Sequence, residues 1–150
     1  MCLGKVDKEI TNHAGSGYKV LFRKNQNWLQ RLFRRHREYL TPYALTKVKY
    51  KSWNIDSSTF MLFADDKHGS LYPTGFHIFL AEEGAMGLAR TMKVRDPYYR
   101  SKPPWVCVVV RVEYSSVVAQ GREIVIRAGS YVQDVVIAKR FKVMREIELW

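Results

Sequence analysis

Residues 105 to 114 read Trp105-Val106-Cys107-Val108-Val109-Val110-Arg111-Val112-Glu113-Tyr114, and this run decides the fold. β-Branched residues dominate it, and their stiff side chains suit the pleated surface of a strand. Cys107, inside the apolar part, is expected to be a buried strand residue acting as a small hydrophobe. Downstream, Val117 to Ala119, Glu123 to Arg127, Tyr131 to Ala138 and Arg140 to Leu149 also read as strands. Gly121 and Gly129-Ser130 read as turns between some of them.

Upstream, residues 93 to 104 form a polar loop ending in Pro103-Pro104. Leu80 to Met92 reads as a helix, since Glu82 and Glu83 favour the positive end of its dipole and Ala81, Ala85, Leu88 and Ala89 share a face. Gly84 and Gly87 oppose that reading by about 1 kcal/mol each. Leu71 to Phe79, Thr59 to Phe63 and residues 46 to 53 carry strand character, and Asp65 to Ser70 a turn. Tyr18 to Arg23 reads as a strand, with Gly15-Ser16-Gly17 before it as a loop.

Residues 26 to 40 admit two readings. Apolar residues at 28, 29, 32, 33, 39 and 40 recur at helical spacing, which turns Arg31, Arg34, Arg35 and Arg37 to water. Alternatively Asn25 to Asn27 is a hairpin turn and Trp28 to Phe33 pairs back on the first strand. The helical period covers more residues, and Thr41-Pro42 would end it. The expected fold is a single α+β domain over residues 18–150, a mostly antiparallel sheet with one or two helices, behind a polar segment at 1–17.

A chain of 150 residues that is 47% hydrophobic and 26% charged is globular in composition. No run reaches the roughly 18 apolar residues of a membrane helix. The first residues lack the apolar core of a secretory signal, so a cytoplasmic, reducing location is expected, with no membrane partner. Cys2 and Cys107 make neither a metal cluster nor a disulfide framework. An N-terminal Cys2 thiol would suit an amidotransferase nucleophile, but Leu3 and a polar segment follow in place of small residues.

Charge is concentrated in one place. Lys19 to Lys51 holds ten bases against Glu38 alone, which is +9 of the net +11. Aromatic residues interleave them, including Trp28, Tyr43 and Tyr50. Cations neutralise phosphates and flat rings stack on bases. Four of the bases are arginines packed within seven positions, and arginine's donor fork fits phosphate oxygens. The expected ligand residues are Trp28, Arg31, Arg34, Arg35, Arg37, Tyr43, Lys47, Lys49, Tyr50 and Lys51, with His77 as a further candidate. The expected partner is nucleic acid or another phosphate-rich anion. A small nucleotide or an acidic protein is the alternative, and the oligomeric state is open.

His77 alternates with Phe76 and Ile78, so a strand would set His77, Gly75 and Phe79 on one face and Phe76, Ile78 and Leu80 on the other. No histidine stands at metal-ligand spacing, and no phosphate-binding glycine loop or nucleophile elbow is present, so no metal or cofactor is expected.

The segment Tyr72-Pro73-Thr74-Gly75-Phe76-His77-Ile78-Phe79 and the helix after it resemble small uncharacterised bacteriophage-type proteins with a Gly-Phe-His-x-Phe strand. Those continue into a valine-rich strand and a valine-x-x-glycine turn, here Val118 to Gly121. The resemblance implies a phage or mobile-element accessory role and supplies no catalytic residues. One enzyme reading stands beside it. Arg23, then Ser57-Ser58-Thr59, then Glu146-x-Glu148 follow the order of toxin-type ADP-ribosyltransferases of the Arg-Ser-Glu class. That resemblance would make Arg23, Ser58, Glu146 and Glu148 catalytic. The middle element departs from the family's Ser-Thr-Ser, and about ninety residues separate it from the glutamates.

Overall fold

The computed structural model describes residues 3–24, 37–42, 45–64, 69–95, 105–125 and 131–147. The valine run lies in β9 (Trp105–Val125), which pairs antiparallel with β10 (Tyr131–Ile147) along most of its length. Its first half pairs on the other edge with β2 (Ala14–Lys24), and β1 (Lys5–Val6) takes that edge at Gly121 and Arg122. β8 (Phe76–Phe79) pairs with β10 at Val135 to Ala138 and touches β2 at Tyr18↔Phe79. The ladder thus runs β2–β9–β10–β8 and returns to β2, a closed ring that leaves these strands few free edges.

An unbroken valine run suits a strand buried on both faces. Val108, Val110 and Val112 pack with Leu21, Ile78, Val136 and Phe141 in one core. Cys107 and Val109 point the other way, to a second core with Val20, Phe79, Val135 and Ile137. The helix α1 (Glu82–Arg95) closes that second core with Ala85, Leu88 and Ala89. Ser116 takes a left-handed φ of 57° close to a register shift between Ile137 and Ala138. Near it the inward phase of β9 passes from even (Val112, Tyr114) to odd (Val117), in step with the change from Ala138 to Phe141 on β10, and the register shift itself leaves Val118 as the extra residue.

The remaining strands are short: β3 (Tyr39–Leu40), β4 (Lys47–Val48), β5 (Trp53–Ile55), β6 (Met61–Phe63) and β7 (Leu71–Pro73). β3 and β4 extend the sheet from β2, β5 lies on β10, and β6–β7 form a separate hairpin. Among the described residues the protein is a mostly antiparallel sheet with one helix.

Four expectations need correction. Gly15-Ser16-Gly17 is strand, because a Cβ at Gly17 would stand 2.6 Å from the Phe79 carbonyl oxygen, so glycine serves close approach there. Gly121 is likewise no turn: it lies within β9, pressed against the Lys5 carbonyl, and the expected turn at Val118 to Gly121 is continuous strand. The segment before residue 18 belongs to the domain, since Leu3 is fully buried and Lys5–Val6 joins the sheet. Tyr39 and Leu40 are strand rather than helix, and they occupy the edge of β2 at Arg23 and Phe22 where Trp28 to Phe33 was the alternative partner. The rest of that stretch, 25–36, lies outside the described residues, as do 65–68 and Gly129-Ser130.

Candidate nucleic-acid interface

β3, β4 and the turn after them carry what is described of the basic stretch. Strict alternation places Val48 in the core and Lys47 and Lys49 in solvent. Residues 49–52 are tied down by Asn54, whose carboxamide accepts from the Lys49 N–H (2.7 Å) and donates to the carbonyls of Lys49 (3.0 Å) and Ser52 (3.1 Å). Lys51 takes a left-handed φ of 56° in this turn and is exposed.

Arg37, Lys47, Lys49, Lys51, Tyr50 and Trp105 line one groove of about 960 Å³. Tyr39 forms part of its floor. It is buried and stacks on Tyr50 with ring centres 5.9 Å apart and planes at 23°. Arg37 and Lys51 stand over the Tyr50 ring at 5.9 and 5.7 Å. Tyr50 is therefore engaged by the protein's own groups. Trp105, half-buried in the groove wall, is a stacking candidate absent from the sequence reading.

Beneath the groove lies Glu146. Its carboxylate accepts from Arg23 at 2.6 Å and from the Tyr39 hydroxyl at 3.0 Å, and stands 3.5 Å from Arg37. Burial, aided by this carboxylate, pushes the Tyr39 phenol up to about 12. Glu38 faces Lys24 at 3.1 Å. Lys47, Lys49 and Lys51 have no ion pair among the described residues. Asp56 and Glu113 pair with Lys139 (3.2 Å) and Lys142 (3.1 Å).

The expected site is thus gathered in part. Arg37, Lys47, Lys49, Tyr50 and Lys51 share the groove. Trp28, Arg31, Arg34, Arg35, Tyr43 and Glu148 lie outside the described residues. His77 is elsewhere, buried on β8 and lining a second cleft with Ser58. Of the transferase set, Arg23 and Glu146 meet, but as a salt bridge occupied with Tyr39 and Arg37. Ser58 bonds Thr74 at 2.6 Å in the second cleft.

That second cleft, about 520 Å³, opens between β2 and β8 where their ladder stops after one pair. Lys19 closes part of the gap: it is 6% exposed, donates to the His77 carbonyl at 3.0 Å and lies 5.5 Å from the rings of Phe76 and Phe141. Burial pulls its ammonium down to about 8, against the opposing pull of Glu123. Burial likewise takes His77 down to about 3, helped by Lys19, and lifts Glu123 to about 7. His77 Nδ1 and Glu123 Oε2 are 3.8 Å apart, and neither has a hydrogen-bond partner. Lys19 reads in sequence as one more charge of the basic run, and nothing there marks it as buried.

Comparison of the chain with protein families, curated proteins and solved structures finds no match.

Proposed function

We propose that this protein binds nucleic acid along the groove of Arg37, Lys47, Lys49 and Lys51, and that its action is binding rather than catalysis. The observation that carries this reading is three exposed lysines without an ion pair among the described residues, on one groove with Arg37, whose own acid is Glu146. Cations without an acid of their own are free to displace counterions from phosphates. Trp105 offers a base a stacking surface at the rim. An accessory protein of a phage or mobile element would use such a surface, and the strand-to-helix order of Tyr72 to Arg95 behind that resemblance is kept here.

The test is fluorescence anisotropy with labelled single-stranded and duplex oligonucleotides across ionic strength. The three unpaired groove lysines give a log–log slope of about −2.1 on single strands and about −2.7 on duplex. Affinity unchanged between about 50 and 200 mM salt refutes the proposal. A mononucleotide bound as tightly as an oligonucleotide would instead mark a small-anion pocket.

A further inference from the structure

The cleft beside Lys19 is separate from the basic groove, and its chemistry differs. Its walls are largely apolar, with Val20, Phe76, Phe79 and Leu88 among them. Among the described residues Lys19 is the single cation of the lining. The one carboxylate there, Asp56, is already neutralised by Lys139. Burial pushes the Asp56 carboxyl up, but bonds from Ser58 and the Lys139 ammonium outweigh it and hold it below the usual range. Nothing among the described lining residues therefore opposes one incoming negative charge.

One polar group of the lining is left with capacity. An ammonium carries three donors, and Lys19 spends one on the His77 carbonyl. Burying donors unpaired costs free energy that a ligand's oxygens would restore. A volume of about 520 Å³ falls in the range of small-molecule sites.

We propose that this cleft binds a small molecule with an apolar body and a single carboxylate, whose head is taken by the Lys19 ammonium. Polyphosphates are a poor fit, because one cation cannot offset several buried charges. The proposal is independent of the groove and stands whether or not the groove binds nucleic acid.

The probes are decanoate, decanol and decylamine, alike in chain and different in head charge, measured by calorimetry on the intact protein. The expected order is decanoate tightest, decanol weaker and decylamine weakest. Decanoate affinity should change little between about 50 and 200 mM salt, because a buried pair is screened far less than an exposed one. Binding at the groove lysines would be salt-sensitive. In Lys19→Met, decanoate should lose roughly 10- to 100-fold in affinity, the worth of a charge-assisted hydrogen bond, with decanol unchanged. Equal binding of decanoate and decanol, strongly salt-dependent binding, or no binding overturns the proposal, as does full affinity in Lys19→Met. The head-group order and the salt series use the unaltered protein, so they decide the matter even if that variant fails to fold.

Discussion

Replacing Glu146 with Gln should move stability and nucleic-acid affinity in opposite directions. The carboxylate is 14% exposed and holds Arg23 at 2.6 Å and Arg37 at 3.5 Å, at 24% and 36% exposure. Glutamine keeps the shape and one acceptor oxygen but removes the charge. A hydrogen bond to a charged group contributes about 1.5–3 kcal/mol against about 1 for a neutral one. Solvent screening of two half-buried arginines reduces the combined loss to about 2 kcal/mol. In a domain of this size that is a fall of roughly 4–8 °C in Tm. Arg37, no longer facing an acid, becomes fully available to the groove it lines. The log–log salt slope should then steepen by about 0.7–0.9, one further counterion released, with tighter binding at low salt. Calorimetric melting and anisotropy titration read the two effects separately. Affinity that falls together with stability, or a slope that does not change, would refute this account of the charge.

The remaining expectations are briefer. Lys47→Ala, Lys49→Ala and Lys51→Ala together should cut the affinity lost between about 50 and 200 mM salt from about 20–40-fold to almost none. Thermal melting should show less than ~0.5 kcal/mol lost per site. Asn54→Ala removes the three part-buried hydrogen bonds that hold the 49–52 turn and should cost about 1–3 kcal/mol in urea unfolding. It should weaken binding with the salt slope intact, because no charge is lost. For Lys19, the unfolded chain holds its proton to about 10.5 and the folded protein only to about 8. Between those values the unfolded state binds more protons, so stability should climb by about 1–2 kcal/mol from pH 8 to 9.5. A flat profile in Lys19→Met against a rising one in the unaltered protein would confirm the source, and identical profiles would exclude it.

The sequence was most legible where one strand's own periodicity carries the information. The valine run declares β9, and the alternation around His77 places Phe76 and Ile78 in one core and Phe79 in the other, as observed. The acids at Glu82 and Glu83 mark the start of α1. It was least legible at glycines, because a residue that lets a backbone come close looks, in sequence, like one that lets the chain turn. Gly17 and Gly121 are both of the first kind. At Tyr39 and Leu40 the helical spacing yields to pairing with Arg23 and Phe22, a tertiary choice that outweighs local period. The groove's floor was hidden for a different reason. Arg23 and Glu146 are 123 positions apart, and only ring closure makes them neighbours.

That closure also explains why the excess charge becomes a surface. Several bases of β9, β10 and the end of β2 meet acids: Arg122 with Asp134, Lys142 with Glu113, Lys139 with Asp56, Arg23 with Glu146. Each such pair is worth little to stability at the surface, yet each cancels a charge. The β3–β4 extension has one acid between Arg37 and Lys51, Glu38, and that faces Lys24. Its lysines therefore keep their full field, gathered on one groove with low-dielectric aromatic walls that concentrate it. A net charge of +11 spread evenly over the molecule would only favour solubility. The binding reading thus rests on which lysines lack an acid, and moving an acid into β4, as in Lys49→Glu, should weaken oligonucleotide binding more than removing a base from the paired face, as in Arg122→Ala. Equal effects in anisotropy would show that only total charge matters and would end the case for a groove.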